Sequence, residues 1–305
     1  MTAPTSAVTR PPPRDLALIA VGVVAISTAS PLIAATAAPA LAIAFWRNAL
    51  GTAALGPLAL TRARHELTHL SRAAWSGSLV SGALLAAHFA TWIPSLSMTS
   101  VASSTALLAT QPAWAALLAR MRGEVVPHRA WWGIGIAFVG VVVIAGVDLS
   151  LSREAVTGDL LALAGAIFGA GYVTAGGHVR RAVGTVSYTV IVYGVASVLL
   201  LVLCLVTSQQ LVGYSAQVWG YLILLTVIAQ LLGHTVLNAV LRSTPATIVS
   251  LALLLEMPGA ALIAWWWLGQ TPPRGVLPGA ALLLVGIAVV VSSERPRDGE
   301  DIPVV

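Results

Sequence analysis

Glu256 stands about ten residues into an apolar run, with Pro258 two positions later. A charge at the middle of a bilayer costs at least about 2.5–3.5 kcal/mol on insertion scales. An acid in such a place is therefore a proton-exchanging group, a ligand contact or the partner of a buried cation. Arg47 is that cation. It lies roughly nine residues inside its own apolar stretch, or about 13 Å at a helical rise of 1.5 Å. Its stem could snorkel outward, or its guanidinium could pair with Glu256 or grip an anionic carboxylate. Two histidines complete the set. His88 and His234 sit 146 positions apart in two different apolar stretches, and imidazole both donates and accepts hydrogen bonds and titrates near neutrality. Neither histidine has a second metal ligand at i+3 or i+4, so no metal site is expected.

The elements that hold these groups come from composition. Of the 305 residues 58% are apolar and 9% charged, against about 25% charged in soluble domains. A bilayer core needs about 20 apolar residues per helix. Ten stretches qualify, approximately 16–36, 38–60, 74–96, 99–120, 130–147, 159–178, 186–206, 217–240, 246–268 and 275–292. Spans of this length in lipid must be helices, because every backbone polar group has to be satisfied within the segment. Prolines 31, 57, 94, 112 and 258 predict kinks or local unwinding. The expected class is an all-α polytopic membrane protein in the cell (plasma or inner) membrane.

Arginine placement orients the spans. There is no lysine, and Arg10, Arg14, Arg62, Arg64, Arg72, Arg120, Arg122, Arg129, Arg180, Arg181, Arg242, Arg295 and Arg297 fall on one side if the N-terminus is cytoplasmic. Only Arg153 and Arg274 fall opposite, so both termini are expected in the cytoplasm. Trp131–Trp132 and Trp265–Trp267 then mark the two interfaces. The basic residues flank spans and form no patch beside aromatics, which argues against nucleic acid. Cys204 is the single cysteine, so no disulfide framework can form within one chain. A short Pro-rich polar tail precedes the first span, no A-x-A cleavage pattern is read after that span, and the span is expected to be retained.

The chain is also internally duplicated. Sliding it by 146 positions without a gap superposes Pro112 on Pro258, Gly123 on Gly269, Pro127 on Pro273, Gly133 on Gly279 and Gly140 on Gly286. His88 falls on His234, and a two-residue shift brings Asp15-Leu16 onto Asp159-Leu160. Each half holds five spans, and an odd number makes the halves enter the membrane from opposite sides. The expected architecture is ten transmembrane helices as two inverted five-helix repeats, residues 15–147 and 158–292, between cytoplasmic tails 1–14 and 293–305. In such folds the site lies near the midplane between the halves.

Polar stripes support a central cavity. Thr226, Gln230, His234, Asn238 and Arg242 recur every four residues of the eighth span, on one slowly drifting helical face. Weaker stripes are Ser81, His88, Trp92 and Ser95 in the third span and Ser104, Gln111 and Trp114 in the fourth. The expected ligand-lining residues are His88, Trp92, Gln111, Trp114, Gln230, His234 and Asn238. Interhelical hydrogen bonding or plain packing is the competing explanation for each. Glycines 133, 140, 279 and 286, spaced by seven, could let helices approach closely within one chain or between two copies in a homodimer.

At this point the sequence resembles the EamA branch of the drug/metabolite transporter superfamily. The matching residues are Phe45-Trp46-Arg47, Gln111-Pro112, Arg122-Gly123-Glu124 with Gly133 and Gly140, then Leu255-Glu256-Met257-Pro258, Leu268-Gly269-Gln270, Gly279 and Gly286. Met257 separates the usual acid–proline pair, and Gln270 replaces the acid that Glu124 supplies in the first half. The resemblance covers nearly the whole chain. It implies carriage of a small metabolite such as an amino acid, nucleoside, sugar or drug, and a role for the arginine at position 47.

The combined expectation is a secondary active exporter of small metabolites such as amino acids or drug-like compounds. It would work by alternating access, with Glu256 or a histidine exchanging protons. The alternative is a facilitative exchanger or a channel-like permeation protein. The chain has no phosphate-binding glycine loop, no H-E-x-x-H and no nucleophile elbow, so neither ATP-driven pumping nor an enzyme is expected, and no cofactor.

Overall fold

The computed structural model describes residues 13–123, 125–180, 182–233, 236, 240 and 252–293. His234, Asn238, Arg242, Glu124 and both tails lie outside the described residues. Within them the chain is helical, with no strand. The helices are α1 (Pro13–Ser27), α2 (Ala29–Ala35), α3 (Ala40–Arg62), α4 (Arg64–Thr68), α5 (Arg72–Met98), α6 (Val101–Leu108) and α7 (Gln111–Met121). They continue with α8 (His128–Leu151), α9 (Arg153–Val179), α10 (Thr185–Val206), α11 (Ala216–Leu224), a π-helical segment (Leu225–Gly233), α12 (Glu256–Leu268) and α13 (Val276–Ser293).

Among the described residues, seven helices or continuous helical stretches are long and apolar enough to cross a bilayer: Pro13–Ala35, Arg72–Met98, His128–Asp148, Arg153–Val179, Thr185–Val206, Ala216–Gly233 and Val276–Ser293. The remaining three expected spans differ for physical reasons. Helix α3 has 23 residues, but Arg47 and Asn48 interrupt its apolar character. The fourth stretch is split at Ala109-Thr110 into α6 and α7, and a helix of the ninth begins afresh at Glu256. Pro112 and Pro258 sit in the first turns of α7 and α12. Proline is tolerated there because a first-turn N–H has no intrahelical partner to lose. Pro57 and Pro94, by contrast, lie inside α3 and α5.

Serine side chains set several starts. Ser71, Ser100, Ser152 and Ser215 each precede a helix and accept from the backbone N–H three residues on, at Ala74, Ser103, Ala155 and Val218. Each cap satisfies one of the orphan donors of a helix N-terminus. Gly123 and Gly269, just beyond α7 and α12, have φ of +85° and +67°. Left-handed backbone is open to glycine at no steric cost, so the two ends are shaped alike.

Among the described residues the most extensive helix pairings are α5 with α9, α8 with α13 and α10 with α3. The α8–α13 pair is antiparallel and reciprocal. A Cβ on Gly133 would stand 2.6 Å from the Gly286 carbonyl oxygen, and one on Gly140 would stand 2.6 Å from that of Gly279. Gly133 with Gly286 becomes Gly279 with Gly140 when each number is moved by 146. The four glycines therefore join two helices of the same chain. Apolar side chains at both flanks, among them Ile144, Leu283, Ile287 and Val290, are fully buried there.

Candidate functional site

Arg47 lies eight residues along α3 and is only 2% exposed. Its Nε donates to Gln230 Oε1 at 2.8 Å, across 183 positions of sequence. Its guanidinium carbon stands 4.2 Å from the centroid of the Phe89 ring, where a cation is attracted by the face of the ring. Its Nη1 has no hydrogen-bond partner. Helices α3 and α5 and the π-helical segment thus meet at one charge.

Gln230 is also 2% exposed. It sits mid-way through the π-helical segment, a rare geometry that is frequent at functional sites. Gly51, one turn beyond Arg47, makes the space. A Cβ there would approach Gln230 Nε2 to 2.9 Å and the Tyr193 ring to 3.2 Å. Tyr193 of α10 lies close enough to interact with the Gln230 amide, short of a hydrogen bond of normal geometry.

His88 continues the cluster on α5. Its Nδ1 donates to the Gly165 carbonyl at 2.8 Å, which leaves Nε2 as the acceptor nitrogen. The imidazole packs 4.9 Å from Phe89 and is stacked 5.6 Å from Trp92. Gln111, from the first turn of α7, converges on the same place. A Cβ on Gly169 would lie 2.9 Å from both His88 Nδ1 and Gln111 Oε1. Gly165 serves Trp92 in the same way, with a would-be Cβ at 2.9 Å. Glycines of α9 thus seat three of the expected lining residues, and Phe89 connects that group to Arg47.

Other expected residues are placed differently. Trp114 donates from Nε1 to Thr110 Oγ1 at 3.0 Å, a contact within its own first turn. Glu256 is the first residue of α12. It is within electrostatic range of Arg47, but the two form no direct ion pair. His234 and Asn238 lie outside the described residues. Of their stripe, Thr226 is buried and bonds back to the Leu222 carbonyl at 2.8 Å. Phe89, Tyr193 and Gly51 were not anticipated, because an aromatic or a glycine in an apolar run carries no polar periodicity.

A cavity of about 330 Å³ lies away from these groups, between α5 and α10. Alanines 83, 86, 87 and 90 and the facing leucines and valines line it, so it is an apolar groove and offers nothing to orient a polar ligand. The polar cluster itself is closely packed.

A sequence model described as the EamA-like transporter family matches residues 15–146 and 156–292. The chain is 25% identical over 258 residues to the pseudopaline exporter CntI of Pseudomonas aeruginosa strain UCBPP-PA14. That alignment spans 84% of this chain and 88% of the relative. The corresponding exporter of strain PAO1 is 24% identical over the same shares. A solved crystal structure superposes with a TM-score of 0.61, covering 92% of this chain and 97% of the other at 20% identity. At that identity the likeness concerns the fold alone.

Proposed function

The chain belongs to the EamA-like transporter family, and on that premise we propose that it is a secondary active exporter of a small metabolite working by alternating access. It is a multi-pass membrane protein and a transporter rather than an enzyme. The proposed frame is ten transmembrane helices in two inverted five-helix halves, with both termini in the cytoplasm. The reciprocal crossing of Gly133 on Gly286 and Gly140 on Gly279 is the observation that carries this reading. Two segments related by the 146-residue repeat can meet in that way when a two-fold axis runs across them, which in a membrane lies in its plane.

The polar cluster lies where the halves meet. Arg47, Phe89, His88 and Gln111 belong to the first half and Gln230 and Tyr193 to the second, whose Glu256 lies in electrostatic range of Arg47. The interrupted helices at Thr110 and Glu256 offer irregular backbone at the depth where carriers hold their substrates. Similarity to an exporter supports the outward direction. Rocking one half against the other would break and remake the Arg47–Gln230 contact. Glu256 or His88 would carry the coupling proton.

The test is counterflow in proteoliposomes, preceded by a thermal-shift screen of amino acids, nucleosides, sugars and cationic drugs. The expected result is saturable flux of one class, accelerated by the same compound on the far side. Flux that rises linearly with concentration, without such acceleration, would mean a channel.

A further inference from the structure

We propose that Arg47, held by Gln230, is the anchor for a carboxylate on the transported molecule. This rests on the exporter reading above. A guanidinium has five N–H donors. One is used by Gln230, the Phe89 ring covers one face, and Nη1 is buried without a partner. Gln230 Nε2, another buried donor, also lacks one. An unpaired charge in a low-dielectric interior costs several kcal/mol, so the arrangement is a donor set waiting for an acceptor.

The donor set also selects the anion. Arg47 is the single arginine set deep within an apolar stretch; the other fifteen lie at the ends of spans or outside them. One cation, with the Glu256 acid in electrostatic range, suits a monoanion and disfavours a phosphate dianion. The planar guanidinium fork matches a carboxylate, while ammonium would not. Gln230 fixes the fork by binding Nε, which leaves Nη1 to the ligand. Phe89 covers the guanidinium, His88 packs on Phe89 and Trp92 stacks on His88, so the remainder of the molecule would rest against this aromatic row. The packing around Arg47 corresponds to a closed state, and the carboxylate enters when α3 and the π-helical segment part.

The experiment compares metabolites released by cells expressing the wild-type chain, Arg47→Gln, Arg47→Lys and Gln230→Glu with cells lacking it. Compounds exported by the wild type should carry a free carboxylate. Arg47→Gln should lower their export about ten- to hundredfold, as expected for losing a charged hydrogen bond. Arg47→Lys should restore part of it. Gln230→Glu is the decisive variant, because it offers Arg47 a carboxylate from within. It should keep or raise the melting temperature of the purified protein while abolishing export. A structural role for Arg47 predicts the opposite, since an internal ion pair would leave export intact. Wild-type export of carboxylates by Gln230→Glu, or exported compounds that lack a carboxylate, would overturn the anchor and leave the exporter standing. Should no compound distinguish wild type from cells without the chain, the exporter reading falls and the anchor with it. Variants that fail to fold leave the identity of the wild-type exports to decide.

Discussion

Arg47 and Gln230, 183 residues apart, meet through a 2.8 Å hydrogen bond that joins α3 to the π-helical segment. Both side chains are nearly inaccessible, and Gly51 is shaped to admit the amide. This contact couples the two sequence repeats at the one deeply buried arginine among the described residues, so removing it should lower stability and transport together.

Gln230→Leu removes the acceptor and strands the guanidinium. A hydrogen bond to a charged group is worth about 1.5–3 kcal/mol, so a clear fall in melting temperature is expected in detergent. Gly51→Val should have the same effect by displacing the amide. Gly56→Ala, where a Cβ meets nothing within 4 Å, should leave the melting temperature unchanged. Equal loss in both glycine variants would contradict the packing described.

At the α8–α13 crossing, Gly140→Leu should destabilise the protein by at least the roughly 1–3 kcal/mol typical of overpacking. The would-be Cβ is only 2.6 Å from a backbone oxygen that cannot move alone. Gly135→Ala and Gly146→Ala in the same helix face open space and should be silent. Thermal unfolding monitored by size-exclusion chromatography separates these cases.

The proposed orientation can be read with cysteines. Cys204 is buried and can be replaced by serine to provide a clean background. Ser208→Cys, in the turn after α10, should then react with an impermeant maleimide added to intact cells. Thr68→Cys, at the end of α4, should react only after the cells are opened. The reverse pattern would invert the topology.

Glu66 binds the start of α10, accepting from the Gly184 N–H at 2.6 Å and from the Ser187 hydroxyl. The carboxylate belongs to α4, the short helix before α5, and acts as a remote N-cap. Glu66→Ala should cost about 1 kcal/mol and raise the protease sensitivity of the loop between α9 and α10. Unchanged proteolysis would mean that the contact contributes nothing to holding that face closed.

If Glu256 carries the coupling proton, Glu256→Gln should make proteoliposome transport insensitive to an imposed pH gradient while sparing counterflow exchange. If the variant still responds to the gradient, the proton passes elsewhere, and His88→Gln becomes the next variant.

The one-dimensional pattern contained the fold class, because runs of about 20 apolar residues have few ways to satisfy their backbone in lipid. It contained the duplication too, since proline and glycine mark backbone positions that apolar drift does not imitate. Arg47, His88, Gln111 and Gln230 were visible as polar residues in apolar stretches. What the pattern could not contain was who meets whom. The Arg47–Gln230 bond, the seat of His88 and Gln111 against Gly169, and the Phe89 ring between them depend on contacts between distant helices. Periodicity along one helix carries no record of its neighbours. The break at Thr110 was legible in kind, since Pro112 predicts local unwinding, but an apolar run does not show at which residue one helix ends and the next begins. Only packing decided where that run breaks, and that the glycines of α8 and α13 face one another in a single chain.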